Sequence, residues 1–276
     1  MRWLTLLLMP VVLLCGCASD PTSDELPRLD EIRSSVTPPG PPEGVAVQGP
    51  STTMGVVTVG VRIESDLERA WEKLSATGLD PRVVDAWAEN GLRVGTLPST
   101  EVVKWLSELP QPVWGMGRRR AMVTTGTAAL LETRRLGRTT AITLGFTDPV
   151  QTRGPLSLRG VVRESGLGLG AALVPAKPRL RSYVTAAPSI NELDRIELFD
   201  ALALLVPTDG QTAVVISLTP QAMALVRHDA ERTDEPVADP EPWLLGVPLL
   251  VRQRSGIIWQ RIVVIRSESI RPGAGS

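Results

Sequence analysis

The 276-residue chain holds one histidine, one tyrosine, two phenylalanines and two cysteines. With His228 as the sole imidazole, any Ser-His-Asp triad, Cys-His pair or His-rich metal site would have to run through that one residue. Neither sign of charge is in excess: 29 Lys+Arg face 30 Asp+Glu, for a formal net charge of −1. Without a cationic surplus, nucleic-acid binding loses its main electrostatic driving force, so no nucleic-acid partner is expected. Long apolar runs are also missing. The run at residues 3–14 (WLTLLLMPVVLL) is shorter than the about 20 residues a helix needs to cross a bilayer. What the chain does have is 43% hydrophobic residues, enough at this length to build a core without disulfides or metal.

Arg2 followed by that apolar run reads as a signal peptide over residues 1–16. The next residues, Leu14-Cys15-Gly16-Cys17, resemble a bacterial lipobox: an aliphatic residue, a small residue, then the acceptor thiol. The resemblance implies cleavage after Gly16 and lipidation of Cys17. Cys15 as acceptor would put Leu14 beside the cleaved bond, where a small side chain is needed. An anchor of two or three acyl chains gives firm membrane attachment, each buried methylene contributing about 0.8 kcal/mol. Both cysteines then belong to export, and the mature domain carries no disulfide. Ala18 stands where an inner-membrane retention signal would have aspartate, which points to the outer membrane with the protein facing the periplasm. Residues 17–50, rich in Pro, Ser, Gly and Asp, read as a tether, and 272–276 as a flexible tail.

The folded part reads as α+β: a small β-α-α-β-α module over 51–117, then a β-rich, mostly antiparallel domain over 118–271. Val57, Val59, Val61 and Ile63 alternate with Thr58, Gly60 and Arg62, which predicts a strand with one apolar and one small or polar face. Ser65 and Glu68 are spaced as a capping box ahead of Leu67, Ala70, Trp71 and Leu74, a helix running to Gly78. Asp80-Pro81 opens a second helix that ends at Gly91. A strand at 92–97 precedes a third helix, from Ser99 to Pro110. Trp71, Trp87 and Trp105 fall on these helices at core spacing. Beyond Gly117, short Val/Ile/Leu/Thr runs at 120–131, 139–146, 156–162, 167–174, 180–186, 198–206 and 212–218 predict strands. Thr208-Asp209-Gly210-Gln211 predicts a hairpin between the last two, and Gln253-Arg254-Ser255-Gly256 a second hairpin joining strands at 246–251 and 257–265, the latter central. Residues 227–242 read as an exposed acidic excursion.

Three of these segments carry a family resemblance. Asp209-Gly210-Gln211-Thr212-Ala213-Val214-Val215-Ile216, then Leu245-Gly246-Val247-Pro248-Leu249-Leu250, then Arg261-Ile262-Val263-Val264-Ile265-Arg266 are similar in order and spacing to the C-terminal region of secretins, the ring-forming outer-membrane channels of bacterial secretion systems. The chain departs from them at Ser217-Leu218, where the family has paired glycines, and is shorter than a channel-forming secretin. The resemblance implies that the β region from about 120 to 270 is part of a secretin-type barrel module, preceded by a ring-building domain.

The chemical constellations point away from catalysis. Gly166-Leu167-Gly168-Leu169-Gly170-Ala171 fits a nucleotide fingerprint in form, but Pro175 and Pro178 forbid the helix that must follow, so a β segment with glycines facing a neighbouring backbone is expected. His228 with Asp229, Glu231, Asp234 and Glu235 falls in the acidic excursion and is expected to be solvated. Arg118, Arg119, Arg120, Arg134, Arg135 and Arg138 read as strand-edge and turn charges, or a local basic patch for lipid head groups or an acidic partner. No catalytic, metal or cofactor residue is assigned. The expectation is a lipid-anchored envelope protein with a structural or interaction role and a protein partner. An envelope-polymer hydrolase or a sugar-binding lipoprotein is the alternative.

Overall fold

The computed structural model describes residues 49–125, 128–135, 138–145, 147–165, 168–178, 196–231 and 242–273. The expected signal peptide, Cys17, the expected tether up to residue 48 and the strand expected at 180–186 lie outside the described residues.

The chain enters on strand β1 (Ser51–Arg62), a helical turn α1 (Glu68–Trp71), helix α2 (Pro81–Glu89), strand β2 (Leu92–Pro98) and helix α3 (Val102–Ser107), preceded by a 3-10 turn at Ser99–Glu101. The β-α-α-β-α order is thus the one expected. Asp80 caps α2, its carboxylate accepting the Arg82 N–H with Pro81 beside it, and Gly91 leaves the helix at φ 78°. The first helix is shorter than its periodicity suggested. Ser65 does not cap it; the Asp66 carboxylate accepts the Glu68 N–H, while the Glu68 carboxylate pairs with Arg93 instead of closing a capping box. Leu74 to Thr77 leave the helix because Ser75 exchanges backbone hydrogen bonds with Thr96 and so covers the edge of β2.

The strands that follow are β3 (Val113–Thr124), β4 (Ala129–Arg135), β5 (Thr140–Ile142), β6 (Val150–Thr152), β7 (Pro155–Ser165), β8 (Gly168–Pro178), β9 (Ile196–Leu198), β10 (Leu204–Val206) and β11 (Thr212–Leu218). Helix α4 (Pro220–Glu231), β12 (Trp243–Leu244), the turn α5 (Gly246–Leu250), β13 (Val251–Arg254) and β14 (Ile257–Ser267) complete the chain. One sheet has the order β2-β11-β14-β1-β3 with β13 also on β14; a second has β10-β8-β7-β4 with β9 on β8; both are antiparallel throughout. A small third sheet, β12-β5-β6, contains one parallel pair. The first sheet draws strands from both sides of residue 117, and β3 runs through that position.

The first sheet is covered on both faces, which explains its dense Val and Ile content. Val57, Val59 and Val61 of β1, Ala213 and Val215 of β11 and Ile262 and Val264 of β14 pack under α1 and α3. The alternate residues Met54, Val56, Val214, Ile216, Val263 and Ile265 face the second sheet, with Leu156, Leu158, Val162 and Leu173 opposite and α2, α4 and α5 closing the sides. Trp87 and Trp105 are buried as core anchors, each satisfying its indole N–H on a backbone carbonyl, that of Leu202 and of Ala70. Trp71 is half-buried, with the Arg93 guanidinium 4.5 Å from its ring centre.

Four expectations change here. The Asp209-Gly210 turn has the expected geometry, with Gly210 at φ 69°, but it joins two sheets instead of closing a hairpin: β10 pairs with β8, and β11 with β2 and β14. Residues 246–250 form a helical turn, so only β13 makes the hairpin with β14, through Ser255 (φ 50°) and Gly256 (φ 76°). Residues 227–231 belong to α4, a helix that buries Ala222, Met223 and Val226. Gly168 starts β8 at φ 119° with open space around its missing side chain, so at that glycine conformation, not the approach of another backbone, is the reason for the residue.

Candidate functional site

The polar face of β1, Thr58-Gly60-Arg62, is where the two sheets meet through charge and not through apolar contact. Gly60 is required there: a Cβ would lie 2.8 Å from the Trp114 carbonyl oxygen and 3.3 Å from its ring. The ring of Trp114 packs at 5.7 Å and 42° to Trp259 of β14, and the Arg254 guanidinium of β13 sits 4.9 Å from the Trp114 ring centre.

Beside this stack lies Glu132. The β4–β7 register slips between Leu130 and Glu132, a bulge that turns both Leu131 and Glu132 toward the first sheet. Leu131 enters the shared core. One Glu132 carboxylate oxygen accepts from Arg252 of β13, and the other accepts from Arg261 Nη1 of β14 at 2.8 Å. The side chains of Glu132 and Arg252 are only 11% and 12% exposed. Arg261 also donates to Thr58 Oγ1 at 2.7 Å, and Arg252 donates to the carbonyls of Leu249 and Val251 at 3.0 and 2.8 Å. Arg134, two residues beyond Glu132, donates to that same Val251 carbonyl at 2.8 Å. Burial, reinforced by the Arg134 guanidinium and opposed by Glu132, pulls the pKa of Arg252 down to about 10; burial also lowers that of Arg134. Chemically the group is a preorganised set of guanidinium donors around one carboxylate, Glu132, both of whose oxygens are engaged.

Sequence reasoning read Arg134 as a strand-edge or turn charge, or as part of a local basic patch for lipid head groups or an acidic partner, and missed Glu132, Arg252 and Arg261. The available signal was local: Glu132 is the sole carboxylate between Glu108 and Asp148, in a stretch with six arginines. Those six do not gather into one patch. Arg118, Arg119 and Arg120 lie on the edge strand β3, where Arg119 reaches across to the carbonyls of Leu130 and Leu131, and Arg135 closes β4. Arg138 pairs with Asp229 at 2.8 Å and stacks 5.2 Å from the Trp243 ring centre. His228 is exposed in the last turn of α4 beside Asp229, while Asp234 and Glu235 lie outside the described residues. Among the described residues, no three of His, Cys, Asp and Glu are grouped to hold a metal ion, and no helix is long and apolar enough to cross a membrane.

A cleft of about 420 Å³ lies on the opposite face, lined by Asp66, Arg69, Ala70, Lys73, Glu108 and Pro110. Two carboxylates, Asp66 and Glu108, share this concavity, as a hydrolase would need. A hydrogen bond from Lys73 holds the Glu108 carboxyl below its ordinary range, the opposite of what a general acid requires.

The architecture therefore defines a protein of two large antiparallel sheets and a small mixed one with flanking helices, the two large sheets tied together by a guanidinium-rich charge group. No known family's sequence profile matches the chain, and no curated protein matches it. Among solved structures it is similar at 12% identity to the Salmonella SPI-1 type III secretion injectisome secretin InvG, over 84% of this chain and 67% of that one, with a TM-score of 0.20. The injectisome basal body containing InvG, PrgH and PrgK gives 12% identity and a TM-score of 0.20, over 48% of that chain. The InvG secretin-domain β-barrel gives 11% and 0.19, over 65% of that chain. A TM-score of 0.20 is too low to establish a common fold.

Proposed function

We propose that the protein is a lipid-anchored component of the bacterial envelope with a structural or interaction role, secretin-like itself or bound to an envelope secretion complex. The observation that carries this reading is the meeting of the three secretin-like segments in one place. β11 pairs with β14 from Ala213↔Arg266 to Ile216↔Val263, and α5 buries Val247, Leu249 and Leu250 against the same two strands. Segments scattered along the sequence thus form one continuous unit, as a shared ancestral module would. Cys17 supplies the membrane attachment in this account, and the partner is another envelope protein.

Crosslinking in intact envelopes followed by co-purification tests the proposal. The expected result is a defined envelope partner or a ladder of self-crosslinked species. Cys17→Ala is expected to abolish lipid labelling and release the chain from the membrane fraction. Retention of the label in that variant would remove the anchor from the account.

A further inference from the structure

The charge group at Glu132 holds one more cation than its structural task needs. Tying β4 to β13 and β14 takes Glu132, Arg252 and Arg261, and each oxygen of the carboxylate is used. Arg134 is then added alongside. Its Nη2 and the Nη1 of Arg252 each lie 2.8 Å from the same Val251 carbonyl oxygen, so the two guanidinium nitrogens are separated by no more than twice that distance. Three guanidiniums thus face one carboxylate, a surplus of two positive charges in a largely buried setting. Like charges held this close repel, and partial burial removes the water that would screen them. Among the described residues, Glu132 is the one carboxylate bonded to the group.

We propose that the Arg134–Arg252 pair, backed by Arg261, is a binding site for a phosphoryl group. A phosphate carries close to two negative charges at neutral pH, matching the surplus, and its oxygens accept from guanidinium forks in the paired geometry that arginine favours. A single carboxylate would leave one charge uncompensated, and chloride lacks directional acceptors. Access is from the side of Arg134, which is half-buried, because Glu132 and Arg252 are nearly enclosed. The phosphoryl group can belong to a lipid head group or to a soluble ion, and the site chemistry is the same for both. The inference does not depend on the chain being secretin-like.

The test is thermal unfolding of the full chain in non-ionic micelles, followed by tryptophan fluorescence, with inorganic phosphate titrated against chloride at matched ionic strength. A ligand that binds only the folded state raises the midpoint in a saturable way. A saturable rise with phosphate and none with chloride is expected. Equal effects of the two salts would overturn the site, and this comparison needs no variant. Arg134→Met is expected to weaken phosphate binding at least about tenfold, while Lys104→Met, a charge-matched change on the opposite face, leaves it unchanged. Weakening by both variants alike would reduce the effect to net charge and also overturn it. Micelles doped with phosphatidic acid, compared with phosphatidylcholine, identify the source. Tighter binding on phosphatidic acid than to the free ion assigns the site to a head group, and binding of the free ion alone assigns it to a soluble phosphate.

Discussion

At the scale of single residues, Glu132 is the carboxylate on which the charge group depends. Glu132→Gln removes the charge that compensates two buried guanidiniums, and breaking a buried pair from one side typically costs about 3–5 kcal/mol. Urea unfolding should show a loss of that order, whereas a loss under about 1 kcal/mol would mean that solvent already screens the group. Asp209 acts differently. Burial alone would raise its carboxyl, but hydrogen bonds from the Thr212 and Gln211 N–H groups and the Thr212 hydroxyl outweigh burial and hold it below its ordinary value of 3.8. Because the folded value is the lower one, this stabilisation is present above pH 3.8 and is lost as pH falls through the folded value. Asp209→Asn should therefore lower stability at neutral pH, and the gap to the parent protein should close in strongly acidic buffer. A gap that widens toward low pH would contradict the assignment.

At the scale of elements, the Asn90-Gly91 end of α2 organises its surroundings. Asn90 exchanges hydrogen bonds with the backbone of Thr143, its carbonyl accepts from Gly246 N–H, and the Gly91 carbonyl accepts from Thr219 N–H. A Cβ on Gly246 would lie 2.5 Å from the Gly91 oxygen, a backbone atom that cannot swing away. Gly246→Ala should cost about 1–3 kcal/mol by overpacking, measured by the shift in urea midpoint. Which elements were legible in the sequence follows from whether their cues were local. Asp80-Pro81 and Gly91 bounded α2 correctly because cap, N1 proline and positive-φ glycine are all local signals. Thr219-Pro220 carries a similar signal for α4, with the Thr219 hydroxyl accepting the Ala222 N–H. It was obscured by the acidic stretch that follows. The Asp209-Gly210 turn was legible, but its strand partners were not: a turn residue dictates φ locally, whereas whether β10 joins β11 or β8 depends on burial far along the chain. The charge group at Glu132 needed a bulge in β4 and a hairpin more than a hundred residues later, so only the isolation of its one carboxylate was readable.

At the scale of the whole molecule, the sheet built around β14 joins strands from both ends of the described chain. Its central strands are buried on both faces, and its outer margins are managed in distinct ways: the Ser75–Thr96 exchange covers β2, and consecutive arginines lie along β3. In the proposed reading, Cys17 anchors the chain and other envelope proteins contact it. The measurement that bears most directly on this is native mass spectrometry of the full chain extracted from membranes in mild detergent. The account predicts a closed homo-oligomer or a stoichiometric complex with an envelope protein, and a strict monomer carrying no partner would contradict it.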